Sequence, residues 1–198
     1  MPTMSSLEDL LKDEIEDIYD AEKQLTKALP KLIKKSTAAD LKTALSKHLE
    51  ETGEHVARLE RVFKLMQLSV RGKTCEGMQH LIAEGSEMIA ECEEDGTRDA
   101  LIIAAAQKCE HYEIASYGTI RVWANLLDRT DVGAMFADTL EEEKAADLTL
   151  TNIAERFVNE KAAEEERKRP ARRVPSRTSR NVATTDLPLS FTSPRWDL

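Results

Sequence analysis

Gln107-Lys-Cys-Glu-His-Tyr-Glu-Ile-Ala-Ser-Tyr-Gly118 decides how this 198-residue chain is read. It lies in a run where Ile103, Ala106, Glu110, Glu113, Tyr117, Ile120, Ala124 and Leu127 recur every three or four residues. That spacing lays them along one stripe of an α-helix. Glu110 and Glu113 stand where a buried stripe calls for apolar side chains. A carboxylate taken out of water has to be protonated, paired or bound to a cation. The stretch therefore predicts a helix whose packed face is polar at its middle.

Three other stretches repeat the pattern. Residues 5–35 carry Leu11, Ile15, Ile18, Glu22, Leu25, Leu29 and Leu32, with Ser5 or Ser6 as N-cap and Glu8 and Asp9 in the first turn. Pro30 is expected to kink this helix late or shift its register. Residues 38–66 carry Leu41, Leu45, His48, Thr52, His55, Leu59, Val62 and Met66, apolar at both ends and polar in the centre. Glu51 lies beside that stripe, between the two histidines. Residues 131–163 carry Phe136, Leu140, Glu143, Asp147, Leu150, Ala154 and Phe157.

The connections set the topology. Asp128-Arg-Thr-Asp131 is a short turn, which joins antiparallel neighbours. Residues 67–97 contain Gly72, Gly77, Gly85 and Gly96 and read as a long crossover with one or two short helices. The expectation is an all-α protein: a four-helix bundle built as up-down, long crossover with a short helix, up-down, over residues 1–165.

Composition agrees. Aromatic residues make up 5% of the chain and only Pro2 and Pro30 precede Pro170, so little interrupts helix. Cys75, Cys92 and Cys109 have no metal-type spacing, and their odd number fits a reducing cytoplasm. No run approaches the ~18 apolar residues of a membrane span, and the N-terminus lacks the features of a signal peptide. Net charge is −9, with +6 on residues 167–198 and −15 on the rest. An acidic body gathers cations and disfavours nucleic acid. Residues 166–198 are basic, proline-bearing and without period, which predicts a disordered tail. Its apolar end, Asp186–Leu198, could dock on a larger protein assembly or be solvated like any tail.

Carboxylates thus sit near the centre of all four long helices: Glu22, Glu51, Glu110 with Glu113, and Glu143 with Asp147. Bundles that hold two metal ions use this arrangement, with inward Glu residues and Glu-x-x-His motifs. Oxygen donors suit hard or borderline cations such as iron and manganese. His48 and His55 are open between ligand, supporting partner and satisfied core histidine. Tyr19, Tyr112 and Tyr117 are open between hydrogen-bonding a ligating carboxylate and ordinary packing. His111 points away from the Glu110 stripe, and His80 has no evident partner. Hydrolase and phosphate-loop motifs do not occur.

Four segments carry a resemblance: Tyr19-Asp-Ala-Glu-Lys-Gln-Leu25, His48-Leu-Glu-Glu-Thr52, Gln107–Gly118, and Thr139-Leu-Glu-Glu-Glu-Lys-Ala-Ala-Asp147. Over residues 5–163 the chain resembles the YciE/YciF family of ferritin-like proteins. The resemblance implies a ferritin-like four-helix bundle, a homodimer, a di-iron or related dimetal centre, and a place in the bacterial stress response. It implies Glu22, Glu51, Glu110, Glu113, Glu143 and Asp147 as metal ligands for two divalent ions, iron or manganese. Ferroxidase or peroxide-consuming activity competes with a non-enzymatic role in which the metal is passive or absent. The wider ferritin pattern expects His three residues after the ligating Glu of the second and fourth helices. Here those places hold Glu54 and Ala146.

Overall fold

The computed structural model describes residues 4–70 and 73–168. The basic tail and its apolar terminal peptide lie, from residue 169 on, outside the described residues. The chain forms α1 (Leu7–Lys35), α2 (Ala39–Leu65), α3 (Glu76–Glu91), α4 (Asp95–Leu126) and α5 (Thr130–Ile153). A π-helical turn, Ala154–Val158, then leads into α6 (Asn159–Lys168). No strand occurs among the described residues.

The four long helices form a ferritin-like bundle of two antiparallel hairpins, α1–α2 and α4–α5. α1 also packs on α4, and α2 on α5, which closes the ring. His48 lies against Glu110 and His55 against Tyr117, so α2 and α4 run in the same direction. The crossover helix α3 carries the chain back along α1 and α4. Its approach to α4 depends on Gly85, where a Cβ would lie 2.9 Å from the Cβ of Ala105.

Helix starts are fixed partly from a distance. Ser6 caps α1 by accepting from the Asp9 amide at 3.1 Å. Neither α2 nor α4 has a side-chain hydrogen bond from its own N-cap residue. Instead the buried Asp99 of α4 accepts from the amides of Thr37 and Ala38 at 2.8 and 2.9 Å. Glu165 of α6 accepts from the amides of Gly96 and Thr97 at 2.9 and 3.1 Å. Carboxylates suit these positions because helix N-termini present unpaired amides and positive potential.

The stripes of α1, α2 and α4 are buried as their periodicity predicts, with only the end residues Leu32 and Leu127 half-buried. α1 runs through Pro30, which sits on its exposed side. The stripe of α5 differs at its end. Phe157 is 58% exposed, whereas Val158 is buried. The π turn supplies the reason: one extra residue in the turn advances the buried face by one position.

Candidate metal centre

The polar middles of the four stripes meet in the bundle core. Glu22 of α1, His48 and His55 of α2, Glu110 and Glu113 of α4, and Glu143 of α5 are all buried. Their donor atoms form two groups, each with all members within 4.8 Å of one another. One group is His48, Glu110, Glu113 and Glu143; the other is Glu22, His55 and Glu143. Glu143 belongs to both and faces each with a different oxygen. Its Oε1 lies 2.9 Å from His55 Nδ1, and its Oε2 lies 3.8 Å from His48 Nε2. Glu22 Oε1 is 3.4 Å from His55 Nδ1, and Glu110 Oε1 is 3.2 Å from His48 Nε2. Donors on metal bonds of ~2.1 Å at right angles stand ~3 Å apart, so these separations are of the size that a shared cation imposes.

The donors are also unsatisfied. Among the described residues, ten buried side-chain nitrogen or oxygen atoms lack a hydrogen-bond partner. All except Arg121 Nε belong to these six residues, including both oxygens of Glu113 and of Glu143. An unpaired buried polar atom costs about 1–3 kcal/mol, and more when charged. Nine such atoms on six adjoining residues fit bound cations much better than ordinary core packing.

Electrostatics follow from burial. Glu113 is pushed well above the usual carboxyl range, first by desolvation and then by the neighbouring carboxylates Glu143, Glu22 and Glu110. Desolvation likewise raises Glu22 and Glu143 against the opposing pull of His55. Burial alone would lower both histidines. The carboxylates overcome it: Glu110 leads in raising His48 to about 9, and Glu143 with Glu22 raises His55 to about 10. Without a cation, the surrounding carboxylates thus favour the protonated form of both imidazoles.

A second layer orients the donors. His55 Nε2–H donates to Glu142 Oε2 at 2.9 Å, which turns Nδ1 towards the centre. Arg58 grips both oxygens of Glu142, at 2.6 and 3.1 Å. The Tyr117 hydroxyl donates to Glu22 Oε1 at 2.5 Å. Tyr19 and Tyr112 instead bond Glu60 and Asp17, remote from the donor groups.

Glu51 and Asp147 take other places. At ~100° per residue Glu51 falls about 60° off the His48 side of α2. Its side chain is 26% exposed and pairs with Lys47. Asp147 lies about 40° off the line from Glu143 to Leu150, towards α4. There it accepts from Gln107 Nε2 at 2.9 Å and faces the exposed His111 at 3.4 Å. Neither belongs to a donor group. The inward triplet on α2 is Thr52-x-x-His55, so the Glu-x-x-His spacing is present with Thr in the Glu place. The Thr52 hydroxyl is spent on the His48 carbonyl at 2.8 Å. His48, Thr52 and His55 occupy the core slots of the α2 stripe, and that was the available signal for the two histidines.

The family described as a domain of unknown function, DUF892, matches residues 6–163. The chain is 43% identical over 160 residues to Protein YciF of Escherichia coli K12, covering 80% of this chain and 96% of that protein. The crystal structure of YciF, described as a stress protein of E. coli, superposes with a TM-score of 0.76 over 79% of this chain and 99% of that one. YcfI of Rhodopseudomonas palustris, provisionally described as a structural protein, is also 43% identical. It superposes with a TM-score of 0.74 over 76% of this chain and 96% of its own. A Xanthomonas campestris protein at 22% identity shares the fold, with a TM-score of 0.63 over 81% and 97% of the two chains.

Proposed function

The chain belongs to the DUF892 family, and on that premise we propose that it is a dimetal carboxylate protein of the bacterial stress response, loaded with iron or manganese. The observation that carries this reading is the convergence of nine unpartnered buried donor atoms on six residues. Four carboxylates, Glu22, Glu110, Glu113 and Glu143, balance the charge of two divalent ions, and Glu143 stands where it can bridge them. The similarity of this chain to YciF, described as a stress protein, supports the physiological setting.

When bound, iron or manganese would supply Lewis acidity and one-electron chemistry at this point. The chain's own residues do the rest. His48, Glu110, Glu113 and Glu143 would hold one ion, and Glu22, His55 and Glu143 the other. Tyr117 fixes the rotamer of Glu22 through its hydroxyl. Glu142 accepts from His55 Nε2–H and so holds the ring with Nδ1 turned to the site as the donor atom. Leu25, Leu45, Ile103 and Phe136 are buried in the same core on the helices that carry the donors.

Elemental analysis of protein purified without added metal tests the reading. About two equivalents of iron or manganese are expected; protein that stays metal-free even after titration with ferrous and manganous ions would sink it. Oxidation of ferrous ion by peroxide or dioxygen above background then assigns turnover. A second reading, a metal-bearing protein without turnover, draws on the provisional structural description of YcfI. It predicts full metal content with no such oxidation.

A further inference from the structure

Glu51 sits at the mouth of a cleft between α2 and α5 whose floor is His48. The cleft has a volume of ≈60 Å³, several times the ~10–15 Å³ that one water requires. Its walls are Ala44, Ala146 and Thr149 with Leu45 and Leu150. His48 is 5% exposed, and neither ring nitrogen has a hydrogen-bond partner. Its Nδ1 looks outward, 3.9 Å from Glu51 Oε2, while its Nε2 looks inward to Glu110 and Glu143. The imidazole therefore spans the wall between the cleft and the donor cluster. At the mouth Glu51 is paired with Lys47, whose side chain is 71% exposed and free to swing into solvent.

A second gap, between α1, α3 and α4, is lined by Leu25, Leu81, Ile82 and Ile89 together with Lys31, and Glu110 stands at its inner end. Before Glu110 that lining offers a cation no carboxylate, and Lys31 repels it. The α2–α5 cleft offers a carboxylate, then an unpartnered imidazole, then the carboxylates of the core, on a body that carries −15 over residues 1–166.

We propose that this cleft is the loading portal for divalent cations, with Glu51 as the transfer carboxylate and Lys47 as its displaceable counter-ion. An incoming cation replaces the Lys47 ammonium on Glu51, passes to His48 and is delivered inward. The inference rests on the metal-centre reading and gives Glu51 a role in delivery, outside the resident donor set.

The test is stopped-flow uptake of Co²⁺ by the metal-free full chain, read by the cobalt d–d absorption, with final cobalt content measured on the same samples. Glu51→Gln and Ala146→Leu are expected to slow uptake by about tenfold or more, the lower end of what local electrostatic focusing contributes to on-rates. Final content should stay at the parent value in both. Lys47→Ala should load at least as fast as the parent. Parent-like rates in both Glu51→Gln and Ala146→Leu overturn the portal and leave the centre intact. A Glu51→Gln protein that loses an equivalent of cobalt makes Glu51 a resident ligand and also overturns it. A parent chain that takes up no cobalt removes the centre and the portal together. Glu51→Gln removes charge at a partly exposed position, so it keeps the test valid if Ala146→Leu misfolds.

Discussion

The Tyr117 hydroxyl donates to Glu22 Oε1 at 2.5 Å, joining α4 to α1 inside the core. Glu22 is fully buried, and its other oxygen has no hydrogen-bond partner. The bond fixes the carboxylate with Oε1 3.4 Å from His55 Nδ1 and leaves Oε2 without a hydrogen-bond partner. Tyr117→Phe should preserve the fold and weaken metal binding by roughly 10-fold, the lower end for loss of a group that orients a ligand. Chelator competition against the parent protein measures it; unchanged affinity would reduce Tyr117 to a packing residue.

Glu143 is the donor common to both groups, so its loss should be felt twice. Glu143→Ala is expected to lower metal content from about two equivalents to near none, whereas Glu22→Gln should retain about one, as two overlapping sites with a bridging carboxylate require. Elemental analysis of both variants separates a shared site from two independent ones. Metal at a hundredfold excess over its dissociation constant should also stabilise the parent by about 2.7 kcal/mol, and thermal melts of Glu143→Ala should lose that increment.

Protonation gives the metal-free protein a defined pH response. His48 and His55 are raised from 6.5 to about 9 and about 10. Between those limits the native state holds protons that the unfolded chain releases, so stability is highest below pH 6.5 and falls as pH rises towards 10. Glu113, also raised, pulls in the same direction from its ordinary value of 4.5 upward. Metal affinity has the opposite slope, since a cation must displace the imidazole protons and gains as they leave. Urea denaturation of metal-free protein at pH 6, 8 and 10 is the check, and a flat or rising profile would contradict it. His48→Ala and His55→Ala should each make the profile shallower.

Glu142 reaches the centre only through His55. Removing it by Glu142→Ala frees the ring and leaves Arg58 without its carboxylate. The expected result is metal affinity lower by roughly 10- to 100-fold at unchanged stoichiometry. Isothermal titration distinguishes this from loss of a true ligand, which would lower the number of ions bound.

Much of the architecture was legible from periodicity. The stripes through Glu22, His48–His55 and Glu110–Glu113 are buried except at the end residues Leu32 and Leu127, because a helix that packs along its length must repeat at 3.6 residues. Legibility fails where that period fails. The fourth stripe runs true through Phe136, Leu140, Glu143 and Leu150, misses at the half-buried Asp147, and loses phase at the π turn, which exposes Phe157 and buries Val158. The crossover, read as one or two short helices, is the single helix α3. Its close seat on α4 depends on Gly85, which has no partner nearby in sequence.

The sequence by itself determined the four buried polar stripes, since burial of a face is a local property of helical spacing. It therefore placed Glu22, Glu110, Glu113 and Glu143 inside. Whether a group beside a stripe reaches the centre depends on the rotation of each helix against its neighbours, and only the tertiary structure decided that. Packing set the stripe residues His48 and His55 against the carboxylates, turned Glu51 from beside its stripe to a cleft mouth with Lys47, and moved Asp147 off its stripe to Gln107. The physical reason is that a step of ~40–60° around a helix separates a core position from the rim, and packing between helices sets which side of that step a residue takes.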